Sequence, residues 1–186
     1  MIKPKEIIKV GLILFAITAI SALLLAVANR VTAPLIEQNI KIKIEKSMKT
    51  VLPGADSFHE VQISAPMVEE AYIAKTGENV VGVCVVTKSN GYGGEVKVIT
   101  GIDKDGKVTG VDILEHSETP GLGANATKPE FKAQYEGKTQ NIEVSRGDAS
   151  GNEINAMSGA TVTSKAVTEG VNAALAISQV MLGNIQ

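Results

Sequence analysis

Val80–Glu115 reads VVGVCVVTKSNGYGGEVKVITGIDKDGKVTGVDILE, and this stretch sets the fold class. Val80–Val86 is nearly all apolar and β-branched, the composition of a strand buried on both faces. Cys84 falls inside that run and reads as core packing, with a reactive thiol as the alternative. Glu95–Ile102 is a second strand. Asp103-Lys104-Asp105-Gly106 follows as a turn, and Lys107–Glu115 is a third strand. The D-x-D-G turn resembles the start of a calcium loop. It lacks the remaining ligands, notably a Glu at the twelfth position, so it reads as a hairpin turn. Upstream, Ala71–Lys75 is another strand, parted from Val80–Thr87 by Thr76-Gly77-Glu78-Asn79. Consecutive strands joined by turns lack the βαβ alternation of a doubly wound sheet.

Working outward, Thr127-Lys128-Pro129-Glu130 starts a short helix over Phe131–Tyr135, and Asn141–Val144 is a short strand. A final helix, capped by Thr163 or Ser164, runs to about Gly183. Val167, Val171, Ala174, Leu175, Ser178 and Met181 recur on one face of it at a period of about 3.6. The expected fold is α+β: an antiparallel or mixed sheet with flanking helices, preceded by one transmembrane helix.

That span is Val10 to Asn29, which contains no charged residue. At about 1.5 Å per residue, roughly 20 residues cross a hydrocarbon core about 30 Å thick. Lys3, Lys5 and Lys9 flank it on the N-terminal side, so residues 1–9 are expected in the cytoplasm and residues 55–186 outside it. The alternative is a cleaved signal peptide, because Ala26-Val27-Ala28 resembles an A-x-A cleavage site. The apolar stretch exceeds the usual signal core of about 7–15 residues, which favours a retained anchor. Residues 30–54 read as a linker helix. Pro34 lies near its start, Ile36, Ile40, Ile44, Met48 and Val51 recur at helical spacing, and Pro53-Gly54 ends it.

Composition removes several function classes. The formal net charge is -2, and no Lys/Arg block with interleaved aromatics appears, so no nucleic-acid partner is expected. Cys84 alone cannot form a disulfide or a CxxC pair. His59 and His116 stand far apart without ligand-spaced partners, so no metal site is expected. Gly137-Lys138-Thr139 mimics the end of a Walker A loop, but Lys132 stands where the first glycine belongs. Gly91-Tyr92-Gly93-Gly94 is not G-x-G-x-x-G, since position 96 is Val96. No Ser-His-Asp set can be assembled.

Two segments carry candidate chemistry. His116-Ser117-Glu118-Thr119-Pro120-Gly121-Leu122-Gly123-Ala124 directly follows a strand. Pro120-Gly121 forms a tight turn, Gly121 and Gly123 admit a flat ligand closely, and Glu118 and Thr119 offer polar groups. A plain surface turn is the competing reading. Ser158-Gly159-Ala160-Thr161-Val162-Thr163-Ser164 directly precedes the last helix. Small residues, several hydroxyls and the free N–H groups of a helix start suit a phosphate dianion. Here the competing reading is a well-made N-cap.

Taken with the N-terminal span and Gly91-Tyr92-Gly93-Gly94-Glu95-Val96, these two loops resemble the G-subunit family of the Rnf ion-translocating electron-transport complexes. The chain is similar, more distantly, to the C subunit of the sodium-pumping NADH:quinone reductase. The resemblance covers nearly the whole chain, in the right order. It implies FMN joined by a phosphoester to Thr161, installed from FAD by a separate flavin transferase. Ser158, Gly159, Ala160 and Thr163 would surround the phosphate. Glu118, Thr119, Pro120, Gly121, Leu122, Gly123 and Tyr92 would surround the flavin. No residue of this chain would be catalytic by itself. The implied role is an electron relay in a ferredoxin:NAD oxidoreductase, single-pass in the inner or plasma membrane, with the lipid bilayer and other membrane and redox subunits as partners. A component like the C subunit of the quinone reductase and a non-redox anchored ligand-binding or assembly module are the alternatives. The family pattern places Asp three residues before the Ser of the S-G-A-T motif; here that position is Asn155.

Overall fold

A computed structural model of the chain describes residues 4–139 and 141–183. They divide into two compact units, one ending at Ile42 and one beginning at Lys43. The first unit is helical throughout. It belongs to α1 (Pro4–Val51), which runs without interruption through Pro34. The sequence reading expected a separate linker helix starting near that proline. Proline removes one i→i−4 hydrogen bond and crowds the carbonyl one turn back, and here the helix absorbs both. Among the described residues α1 alone is long and apolar enough to cross a membrane. An 18-residue window within it reaches a mean hydropathy of 2.7 with none of its surface buried.

The second unit is built on a five-stranded antiparallel sheet in the order β1-β2-β3-β4-β5. Its strands are β1 (Ser57–Val61), β2 (Val68–Thr76), β3 (Asn79–Asn90), β4 (Glu95–Asp103) and β5 (Val108–Glu115). Three of the four expected strands appear nearly as read, and β2 is longer at both ends. β1 was not anticipated. It is short and half exposed, with no alternation to betray it. The expected turn at Asp103–Gly106 joins β4 to β5. The Asp103 carboxylate accepts hydrogen bonds from the N–H groups of Asp105 and Lys107, both at 2.9 Å, and Gly106 takes φ +77°.

Both faces of the sheet are covered, which explains the unbroken apolar run of β3. Val83, Val85, Val96, Val98, Val111 and Ile113 join the core beneath α3 (Thr161–Gly183), together with Val167, Val171 and Leu175. The other face meets the last turns of α1. Gly101 and Gly110 bring β4 and β5 against the Val51 backbone, and the Ser47 hydroxyl donates to Asp112 Oδ2 at 2.7 Å.

α3 lies close over β3. A Cβ at Gly170 would sit 2.7 Å from Thr87 Oγ1, and Ser89 Oγ donates to the Ala166 carbonyl at 2.8 Å. These two contacts run α3 antiparallel to β3. They bring its N-terminal turn to the end of the sheet where the Gly91–Gly94 loop links β3 to β4.

Between β5 and α3 come the 3-10 turn Gly123–Thr127, α2 (Pro129–Lys132), a second such turn over Ala133–Tyr135, and a two-stranded parallel pair. The pair is β6 (Glu143–Ser145) with β7 (Glu153–Asn155). β6 overlaps the expected strand at 141–144, and β7 was missed. Asn172 on α3 fixes this unit by exchanging two 2.9 Å hydrogen bonds with the backbone of Ile142.

Candidate functional site

Where the start of α3 meets the two loops at the sheet end, the chain forms an open cavity of about 640 Å³. Tyr92, Glu118, Thr119, Leu122 and Gly123 line one side, and Gly159, Ala160, Thr161, Val162 and Thr163 line the other; Arg146 completes the lining. Nine of the twelve residues expected at a site therefore stand together. Ser158 and Gly121 instead line an adjoining hollow of about 540 Å³, while Pro120 is exposed and lines neither.

Glu118 organises this end of the domain. Its side chain is buried at 6% exposure. Oε1 accepts the N–H groups of Tyr92 at 2.8 Å and Gly93 at 3.1 Å, and Oε2 accepts the Thr163 hydroxyl at 2.8 Å. One carboxylate thus joins the β3–β4 loop to the first turn of α3. Both of its oxygens are occupied by protein donors, so it shapes the cavity from behind. The nearby glycines make room for it. A Cβ at Gly123 would fall 2.7 Å from Thr163 Oγ1 and collide with Glu118 Oε2, and one at Gly91 would collide with Glu118 Oε1. Their small size serves this contact within the chain. Gly121 differs: at φ +80° it has no atom within 4 Å of its would-be Cβ, and it serves the turn.

The hydroxyls of the 158–164 segment separate by environment. The expected cap at Thr163 or Ser164 is corrected, because α3 begins at Thr161 and both residues lie inside its first turn. Thr163 is spent on Glu118. Ser164 Oγ accepts the Met157 N–H at 2.9 Å and donates to the Ala160 carbonyl at 3.0 Å, which folds the loop back onto the helix. Ser158 is exposed and faces the adjoining hollow. Thr161 remains: half-buried, facing the cavity, with no hydrogen bond from its hydroxyl to any described residue. The helix's backbone ladder starts with the Ser164 N–H donating to the Ala160 carbonyl at 3.0 Å, so the N–H groups of Thr161, Val162 and Thr163 have no intrahelical acceptor, and the helix dipole adds partial positive charge there.

The lining suits a flat ring bearing an anionic tail. Tyr92, Leu122 and Val162 are 78%, 45% and 51% exposed, an apolar rim that a ligand would cover. The volume lies within the usual range of about 300–1,000 Å³ for cofactor sites.

Sequence reading missed Arg146. It stands in a polar loop with no local pattern around it, and the pairing of Ser145 with Asn155 is what delivers it to the cavity. Its one available signal was rarity, since the chain has only one other arginine, Arg30.

Residues 91–176 match the FMN-binding domain, and residues 1–51 match the RnfG N-terminal region. The G subunit of the Na(+)-translocating ferredoxin:NAD(+) oxidoreductase complex of Acetobacterium woodii is 40% identical, over 94% of this chain and 93% of its own. This chain belongs to the RnfG family. The G subunit of the proton-translocating ferredoxin:NAD(+) oxidoreductase complex of Clostridium ljungdahlii is 35% identical, over 84% of this chain and 83% of its own. Among solved structures, the C subunit of a Na(+)-translocating NADH-quinone reductase from Parabacteroides distasonis shares 25% identity at a TM-score of 0.49, over 57% of this chain and 59% of that one. Every residue lining the cavity of this RnfG-family chain lies within the FMN-binding match.

Proposed function

We propose that this RnfG-family protein is the electron-relay flavoprotein of a membrane ion-translocating ferredoxin:NAD oxidoreductase complex, and that it carries FMN bonded to Thr161. The observation that carries the reading is the position of Thr161. Among the hydroxyls of the 158–164 segment, its own alone both lines the cavity and is unspent on the protein. A phosphoester there would place the phosphate against the N–H groups of the first turn of α3.

The attachment balances as a transfer from FAD by a separate flavin transferase. The Thr161 Oγ1–P bond forms, the pyrophosphate bond of FAD breaks, AMP leaves and the hydroxyl proton is released. Thr161 is then a tether and not a nucleophile of turnover. FMN would supply the redox chemistry when bound, accepting and passing on electrons. The protein's own contribution is placement. The Glu118 clamp fixes the β3–β4 loop against α3, Tyr92, Leu122 and Val162 shield the ring from water, and Gly159 and Ala160 keep the approach to Thr161 open.

The Val10–Asn29 stretch is read as a retained span, with the lysine-flanked N-terminus cytoplasmic and the FMN domain outside. A tether is physically useful on that side, where a lost flavin could not easily be replaced. Its electron donors and acceptors are the other members of the complex.

The test is the intact mass of the natively matured chain, together with in-gel fluorescence after denaturing electrophoresis. One added FMN and a fluorescent band are expected, and Thr161→Ala abolishes both. A mature wild-type chain without the added mass overturns covalent attachment. Fluorescence that survives Thr161→Ala moves the ester to Ser158. A reporter fused beyond the C-terminus that is active only in the cytoplasm overturns the orientation.

A further inference from the structure

We infer that Arg146 is the residue that pairs with the phosphate of the cavity's ligand; this rests on the reading of the cavity as the FMN site. Among the described residues, two charged side chains line that cavity, Glu118 and Arg146. The carboxylate is buried and both of its oxygens already accept from Tyr92, Gly93 and Thr163, so its charge is committed to the protein. The guanidinium is exposed and makes no hydrogen bond or ion pair with any described residue. The one uncommitted charge facing the cavity is therefore positive.

Chain topology puts that charge at the phosphate end. Ser145 pairs with Asn155, and the Ala156 N–H donates to the Ser145 carbonyl at 2.8 Å. Arg146 thus leaves β6 beside the residues that lead directly into the 158–161 loop. Its own loop is held in place, because the Ala149 N–H donates to Asn155 Oδ1 at 3.0 Å. Arginine presents a planar fork of donors that matches two phosphate oxygens at once. The first turn of α3 supplies N–H donors and partial charge but no full positive charge. Arg146 supplies the missing one, and with it a preference for FMN over riboflavin.

The experiment uses the full chain in detergent with Thr161→Ala, so that flavin binds reversibly, and titrates FMN and riboflavin by fluorescence quenching. FMN is expected to bind more tightly than riboflavin. Adding Arg146→Gln should weaken FMN about tenfold and leave riboflavin unchanged, since the pair is charge-assisted and partly solvated. Arg146→Lys should restore part of the loss. Lys128→Gln, in the adjoining hollow, should change neither. Equal loss for both flavins, an FMN preference undiminished by Arg146→Gln, or no measurable FMN binding by a folded Thr161→Ala chain each overturns the assignment. The covalent reading is judged separately by the wild-type mass, so either claim can fail alone.

Discussion

Removing the Glu118 side chain should uncouple the β3–β4 loop from α3, whereas exchanging it for glutamine should not. In Glu118→Ala three donors lose their acceptor: the N–H groups of Tyr92 and Gly93 and the hydroxyl of Thr163. A hydrogen bond to a charged group contributes about 1.5–3 kcal/mol. Tyr92 and Gly93 are exposed, so water replaces much of what they lose; Thr163, at 1% exposure, is the group that water reaches least. The expected cost is about 2–4 kcal/mol. In Glu118→Gln the amide oxygen still accepts both N–H groups. The amide nitrogen takes the place of Oε2 and donates to Thr163 Oγ1, which reverses that bond and keeps the clamp closed, at the cost of the acceptor for the Thr163 hydroxyl proton. The cost falls to about 1 kcal/mol, for the weaker neutral bonds. Thermal unfolding of the full chain in detergent reads the difference. At about 2–4 °C per kcal/mol, alanine should lower Tm by roughly 5–15 °C and glutamine by about 2–4 °C. Equal losses would show that the charge of Glu118 matters and its bridging geometry does not. A neutral alanine variant would show that the clamp holds nothing.

Other expectations follow from single contacts. A Cβ at Gly101 would sit 2.8 Å from Thr109 Oγ1 and collide with the Val51 carbonyl, so Gly101→Ala should destabilise by about 1–3 kcal/mol through displacement of the end of α1, read by chemical denaturation. At Asp112, burial pushes the carboxyl up, but the hydrogen bonds from Lys132 and Ser47 together outweigh it and hold the group below its ordinary value. A depressed folded value means stabilisation that is present above the unfolded pKa of about 3.9 and lost as pH falls through the folded value. The stability gap between wild type and Asp112→Asn should accordingly be widest above about pH 4 and shrink below it; a gap independent of pH would refute the assignment. Cys84 is fully buried and its thiol is pushed up to about 12 by desolvation, so at pH 8 it should react with a thiol reagent only as fast as the domain opens.

What the sequence disclosed and what it hid divide along a physical line. β3 announces itself as an unbroken apolar run, β4 and β5 as strand-like runs parted by a turn, and α3 through its period of about 3.6 residues, because each buries enough side chains for a pattern to stand out. The β6–β7 pair has three residues in each strand, and its order comes from pairing across an intervening loop. No local pattern encodes that, so β7 and the Arg146 it positions stayed invisible. The Glu118–Gly123 and Ser158–Ser164 segments were recognisable as a site, but their internal division of labour was not. Glu118 looks like a ligand contact in a list of polar residues, and only the positions of the Tyr92 and Gly93 N–H groups show that it faces the protein. Thr161, Thr163 and Ser164 are equivalent as hydroxyls on paper. They become distinct once α3 starts at Thr161 and the other two turn inward.

The same geometry bears on Asn155, where the family resemblance implies an aspartate. Its backbone N–H donates to Gln134 Oε1 at 2.7 Å, which ties β7 to the turn after α2. Its side-chain oxygen accepts the Ala149 N–H at 3.0 Å, which closes the loop that begins at Arg146. An aspartate at this place would offer the same acceptor, and the backbone bond is indifferent to the side chain. Asparagine therefore preserves the part of the role that shapes the cavity. What it removes is a negative charge, at an exposed position on the rim of the hollow that also exposes Ser158. That charge would lie outside the cavity that Thr161 faces. The departure consequently falls on whatever approaches the loop from solvent, and leaves untouched the hydroxyl, the helix start and the arginine inside.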